Sequence, residues 1–167
     1  IAVLDTGVDN EHETFEDRFI AGVDCVGGCG DYTTEEGSGG DPDDRNGHGT
    51  HTASTALGTG GETDDDPADG EPDYIGTAPG ARLVDVKVMT DLGAGGNILQ
   101  GIEWCTDHAD EDWDASGSDG IQVMSMSVGT SGGSDGSDSV SQAANAAVAA
   151  GIVAVAAMGN DGDNVVP

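Results

Sequence analysis

The chain has 167 residues, with 4 Lys and Arg against 33 Asp and Glu, a formal net charge of -29 at pH 7 and a pI near 4.1. That balance excludes electrostatic binding to nucleic acid or to an anionic membrane, both of which need a basic surface. Leu, Ile, Val and Phe number 29, about 17% of the chain, few enough that folding depends on how they are arranged. They are gathered into short runs, such as Ile1-Ala-Val-Leu4 and Ile152-Val-Ala-Val-Ala156, separated by acidic and Gly-rich stretches. Segregation of that kind marks a core. The length suits a single domain over residues 1–167, and no apolar run approaches the ~20 residues of a membrane helix. Of the 33 acids, 24 are Asp, a surface that repels itself in dilute buffer. At molar salt the Debye length falls to ~3 Å and the repulsion is screened, so the composition predicts adaptation to high salt.

In chain order, Ile1–Leu4 reads as a first strand. Cys25 and Cys29 flank Val-Gly-Gly in a loop-like stretch, where a short disulfide is plausible and contributes about 2 kcal/mol by loop entropy; two thiols alone do not make a zinc site. Residues 31–47 are Gly- and Asp-rich and read as a loop. A helix is predicted over His48–Leu57, with Gly58 ending it. Residues 62–73 hold seven acids in twelve positions; Asp64, Asp65, Asp66 and Asp69 offer clustered carboxylates of the kind calcium takes, without EF-hand spacing. Leu83–Met89 reads as a second strand and Asn97–His108 as a second helix. On that helix Ile98, Ile102, Cys105 and Ala109 fall at helical spacing, which makes Cys105 a small buried hydrophobe rather than a reactive thiol. After an acidic loop at 110–120, Ile121–Ser127 forms a third strand. Ser139–Ala150 forms an Ala-rich helix with Val140, Ala144, Ala147 and Val148 on one face, stopped by Gly151. Ile152–Met158 is the fourth strand. Strands alternating with helices predict an α/β fold, a parallel sheet with helices on its faces.

Sites in such sheets form at the carboxyl ends of strands, and three polar groups stand there. Asp5 follows the first strand directly, with Thr6 and Gly7 behind it. His48 opens a helix in Asn46-Gly-His-Gly-Thr-His-Thr-Ala53, flanked by glycines that leave access to the ring. Asn160 follows the fourth strand in Met158-Gly-Asn-Asp-Gly162. Singly, each has an ordinary structural explanation as a turn or cap residue. Together they suit acyl transfer: a carboxylate orients an imidazole, the imidazole acts as general base, and an amide donates to an oxyanion. An aspartic protease also carries Asp-Thr-Gly, but only one such tripeptide occurs and the helical pattern does not fit an all-β fold. A metal held by His48 and His51 lacks further ligands. His12 and His108 stand among acids and read as surface residues.

Four motifs in order, Asp5-Thr-Gly-Val8, His48-Gly-Thr-His-Thr-Ala53, Ser125-Met-Ser-Val-Gly129 and Gly159-Asn-Asp-Gly162, resemble those of the subtilisin-like serine proteases, the subtilases (peptidase S8). Segments Ile75–Val88 and Gly101–Trp104 also resemble that family, so the likeness spans essentially the whole chain. It implies a three-layer fold with a mostly parallel central sheet and helices on both faces, incomplete at both ends. It further implies that Asp5 orients the ring, His48 is the general base and then acid, and Asn160 is an oxyanion-hole donor. By the same likeness, Ser127, Val128 and Gly129 would pair with an extended substrate and wall the primary pocket, with Ala157 and Met158 near its other wall and Leu92–Gly96 edging a more distant subsite. Small residues there would admit a large apolar side chain.

The resemblance also implies a nucleophile in a Gly-Thr-Ser-Met-Ala-like motif, which this sequence does not contain. Gly129-Thr-Ser131 shares three letters but precedes the oxyanion Asn and leads into Gly132-Gly-Ser-Asp135 rather than a helix, so Ser131 reads as a decoy. The expectation is a partial serine endopeptidase domain lacking its Ser, the alternative being a catalytically inactive, peptide-binding relative. Thr14 stands where the family often has a calcium-ligating Asp. No cofactor is expected for catalysis; structural calcium is compatible, with no ligand set assigned. The expected partner is a polypeptide substrate, with the chain's own propeptide as a second, no nucleic acid or membrane, and a monomeric, secreted protein from a salt-loving microbe.

Overall fold

In a computed structural model, residues 1–38, 40–60, 74–113, 115, 117, 120–129 and 134–160 are described. Their elements run β1 (Ala2–Asp5), a 3-10 turn (Glu13–Phe15), β2 (Phe19–Asp24), α1 (His48–Leu57), β3 (Leu83–Lys87), α2 (Ile98–Asp107), β4 (Val123–Met126), α3 (Ser139–Ala149) and β5 (Val153–Ala156). The strands form one sheet in the order β2-β3-β1-β4-β5, and each pairing is parallel. All four residues of β1 are buried, as expected of a central strand covered on both faces.

Successive side chains of a strand point to opposite faces, and this alternation sorts the sheet. Ala2 and Leu4 of β1 join Val84, Val86 and Val88 in a core shared with Ile102, Trp104 and Cys105 of α2 and Ala143 and Ala147 of α3. Val3 and Leu83 face the other way, into a second core with Phe15 and with Ala53 and Leu57 of α1. The result is three layers. Fully buried Leu4, Leu57 and Leu83 each contribute about 1.5–3 kcal/mol relative to exposure. The same alternation puts Asp5, Asp85 and Lys87 on the α1 face.

Several sequence expectations are corrected here. β2 was not anticipated: Phe19-Ile-Ala-Gly-Val-Asp24 is a short run interrupted by Gly22; its one strand neighbour is β3, through an irregular register between Phe19 and Ala21, and Gly22 adds an isolated antiparallel bridge to Thr33. The three later strands are shorter than their apolar runs, because Met89, Ser127 and Met158 lie beyond the ladder. On α3 the buried residues are Ala143 and Ala147, whereas Val148 is exposed. His108 is not a solitary surface residue. It stacks on Trp104 with ring centroids 4.2 Å apart, and Tyr32 and Trp113 complete the aromatic cluster. Cys25 and Cys29 form a disulfide. Cys105 is free and buried, its thiol pushed up to about 12 by burial. Asp64, Asp65, Asp66, Asp69 and Ser131 lie outside the described residues.

Asp85 is the least comfortable group in the interior. It is fully buried, with Oδ2 accepting from the Val8 N–H at 2.8 Å and Oδ1 finding no partner among the described residues. Burial, reinforced by the Asp41 and Asp44 charges and opposed by Val8 and Lys87, raises its carboxyl well above the ordinary range. A carboxyl raised in the folded state binds more protons there than in the unfolded chain. Stability therefore falls as pH rises from the ordinary value of ~3.9 toward the raised one, by up to about 1.4 kcal/mol per pH unit. In Asp85→Asn this slope is expected to disappear above about pH 4, as guanidinium unfolding at a series of pH values would show.

Candidate active site

β1 delivers Asp5 at its carboxyl end, on the face toward α1. The carboxylate is wholly buried, and three donors satisfy it. The Thr6 N–H reaches Oδ1 at 2.7 Å, the Thr52 hydroxyl reaches Oδ2 at 3.2 Å, and His48 Nδ1 lies 2.7 Å from Oδ1. Since a carboxylate oxygen accepts, Nδ1 carries the proton, and in the neutral ring Nε2 presents its lone pair. The His48 side chain is half exposed, and among the described residues Nε2 has no protein partner. A buried acceptor thus fixes the tautomer of a ring whose other nitrogen is open to solvent.

Close approach of α1 to β1 requires glycine at two places. A Cβ on Gly49 would lie 2.0 Å from the Gly7 carbonyl oxygen and 3.1 Å from the Asp5 Cβ. Gly7 itself turns the chain away from β1 with φ +101°, a conformation that other residues seldom adopt. Lys87 stands in register beside Asp5, yet its ammonium binds the Thr6 carbonyl, the Asp43 carbonyl at 2.9 Å and Asp91 Oδ1 at 2.8 Å instead of the Asp5 carboxylate. That leaves the imidazole as the only basic side chain on Asp5 among the described residues.

The remaining expected residues are spread around the same carboxyl edge. Val128 and Gly129 line a cleft of about 380 Å³ together with Val88, Met89, Ile98 and the Gly93–Gly96 rim. Ser127 instead lines a hollow of about 490 Å³ beside α1, with Val123, Ser125, Val155 and Thr52. The Ala157 N–H donates to the Met126 carbonyl at 3.0 Å, which continues the β4–β5 pairing one step past the strand. Met158 is 98% exposed, and Asn160 is exposed in a bend. Among the described residues, no group of three or more His, Cys, Asp or Glu side chains is gathered as a metal site. Thr14 is buried, with its carbonyl accepting from Thr59.

Residues 1–166 match the subtilase family, peptidase S8. The chain belongs to the subtilase family. It is 36% identical over 131 residues to the serine protease AprX of Bacillus subtilis, a match covering 77% of this chain and 25% of that protein. To subtilisin-like protease 1 of Arthroderma gypseum it is 38% identical over 128 residues, covering 75% and 21% respectively. Among solved structures, sphericase superposes with a TM-score of 0.70 at 36% identity, over 96% of this chain and 46% of that one. This subtilase chain therefore spans about a quarter of the length of the curated relatives it matches. Its fold is that of the subtilisin-like structures.

The Asp5–His48 contact depends on how close α1 lies to β1, which a single methyl group can upset. Gly49→Ala is expected to lower stability by about 1–3 kcal/mol and to abolish the Asp5–His48 hydrogen bond. Thermal melting and the low-field Nδ1 proton resonance of His48 measure the two effects.

Proposed function

We propose that the chain supplies the acid–base half of a serine endopeptidase, hydrolysing peptide bonds through an acyl-enzyme whose nucleophilic Ser comes from residues beyond Pro167. The observation that carries this reading is the 2.7 Å contact between buried Asp5 and half-exposed His48. In the reaction, Nε2 of His48 takes the hydroxyl proton as the Ser oxygen bonds to the substrate carbonyl carbon. The ring then gives that proton to the departing amine as the peptide C–N bond breaks. Water repeats the sequence to release the acyl group. Asp5 keeps the ring in one tautomer and stabilises the imidazolium. The Asn160 side-chain amide is assigned to the developing oxyanion.

The cleft between Val128–Gly129 and the Gly93–Gly96 rim is the proposed site for an extended polypeptide, and its apolar lining favours apolar side chains. The chain's own propeptide would occupy the same cleft before maturation. Ala157 and Met158 are assigned to the far wall of the primary pocket. The hollow beside α1, bordered by Ser127 and Val155, is the proposed seat of the nucleophile-bearing segment. Export to an oxidising compartment is supported by the Cys25–Cys29 disulfide, and a high-salt habitat by the net charge of -29.

Two measurements test this. The chain expressed with whatever coding sequence follows the Pro167 codon should be labelled by a serine-directed fluorophosphonate on a Ser in a Gly-Thr-Ser-Met-Ala-like motif. Asp5→Asn should lower its kcat by about 10⁴-fold. A stop codon, or another residue in place of that Ser, would leave the peptide-binding alternative. Separately, dialysis of the chain from ~2 M to below ~0.1 M salt should abolish its far-UV circular dichroism as screening is lost; an unchanged spectrum rejects salt adaptation.

A further inference from the structure

The first turn of α1 has an unusual cap. Its N-cap residue is Gly47, at φ +92°, with no side chain to satisfy the orphan N–H groups of the turn. Two residues from outside the helix do so instead. The Gly49 N–H donates to the Thr6 hydroxyl at 3.0 Å, and the Thr50 N–H donates to Asp44 Oδ2 at 2.9 Å. Asp44 also receives the Thr50 hydroxyl on Oδ2 at 2.6 Å, and on Oδ1 it receives the Thr6 hydroxyl, the Asn46 N–H and the Gly47 N–H, each at 2.9 Å. One carboxylate thus accepts from the end of β1, from the loop and from the helix.

We propose that Asp44 is a positioning residue for His48, clamping the first turn of α1 to Thr6 so that Nδ1 stays on Asp5. This rests on reading Asp5 and His48 as the base pair of peptide hydrolysis. The clamp lies one residue beyond that pair on each element: Thr6 follows Asp5, and Gly49 follows His48. A shift of α1 along or away from β1 must therefore break the Gly49–Thr6–Asp44 and Thr50–Asp44 bonds together with the Asp5–His48 bond. Misplacement of a catalytic group by 1 Å can cost on the order of 10² in rate, so the tolerance is small.

Charge acts in the same direction as geometry. His48 occupies the first helical position, where the positive end of the helix dipole opposes an imidazolium. A carboxylate bonded to the N–H groups of that turn offsets this end of the dipole. Burial works to raise the Asp44 carboxyl, but the bonds from Thr50, Gly47 and Asn46 outweigh it and hold it below its ordinary value, so the group is ionised where the base must work. The neighbouring Asp43 contributes its backbone carbonyl to Lys87, while its carboxylate makes, among the described residues, only an exposed 3.5 Å pair with Arg45. Its side chain has no part in the clamp and serves as the control.

The test uses the 167-residue chain, Asp44→Asn, Asp44→Ala, Thr6→Val and Asp43→Asn, read by the low-field Nδ1 proton resonance of His48, with circular dichroism as the check on folding. The proposal expects folded Asp44 variants and Thr6→Val to lose that resonance, or to exchange its proton with water faster by at least about tenfold, and Asp43→Asn to match the parent. An unchanged resonance and exchange rate in a folded Asp44 variant overturns it, as does an equal effect from Asp43→Asn. Should both Asp44 variants fail to fold, Thr6→Val decides, since it removes the bridge and keeps the carboxylate; an unchanged resonance there also overturns the proposal. No nucleophile or substrate is needed for this readout. Its failure is therefore separate from failure of the peptidase reading, which fluorophosphonate labelling decides.

Discussion

A four-residue strand buried on both faces ends in a carboxylate, and much of the carboxyl edge of the sheet is organised around it. Asp5 lies on the α1 face because Val3 does, two residues earlier, and Val3 does because the second core needs it there. A carboxylate in that position has lost its water and must recover hydrogen bonds from the protein. Thr6, Thr52 and His48 provide them. Local sequence meets this need with small residues: Gly7 turns the chain aside, and Gly49 lets the helix come near enough for an imidazole to reach.

Polarity is divided between the two faces of the sheet with few exceptions. Val84, Val86 and Val88 fill one side of the β3 line, while Asp85 and Lys87 stand on the other. Buried charges are tolerated when they are bonded. Lys87 is bonded through all three of its protons, to Thr6, Asp43 and Asp91. Asp91 belongs to the segment leading into the Gly93–Gly96 rim of the apolar cleft, so one ammonium joins the turn after the acid–base pair to the rim where substrate is proposed to lie. Among the described residues Asp85 is bonded through one oxygen, and burial favours its protonated form.

The fold was largely legible in the sequence because its strands are the places where apolar residues are concentrated, and because Gly58, Asn97 and Gly151 mark helix ends that can be read directly. β2 escaped because an edge strand with one neighbour needs no long apolar run, and Gly22 breaks the pattern. The wrong face was assigned to Val148 because an Ala-rich helix has no sharp stripe to read. At the site, Asp5 and His48 could be seen as motif residues next to turns. Asp44 could not, since it looks like any other acid in a Gly- and Asp-rich loop. Its role exists only once the fold brings it against Thr6, far away in sequence. His108 was misread for the same reason: its sequence neighbours are acids, whereas its spatial neighbours are rings from Tyr32, Trp104 and Trp113.

That aromatic corner has an optical consequence. The chain has two tryptophans, and both stand in the cluster, with their rings 6.2 Å apart and Trp104 against the imidazole of His108. Intrinsic tryptophan emission is therefore a local signal from the C-terminal end of α2 and the chain that follows it. Nearby imidazole and indole rings make that emission sensitive to small changes of stacking there, while loosening of α1 from β1 would pass unseen. Fluorescence and circular dichroism would then report different parts of the same molecule, and their coincidence during unfolding would measure how tightly the two cores are coupled.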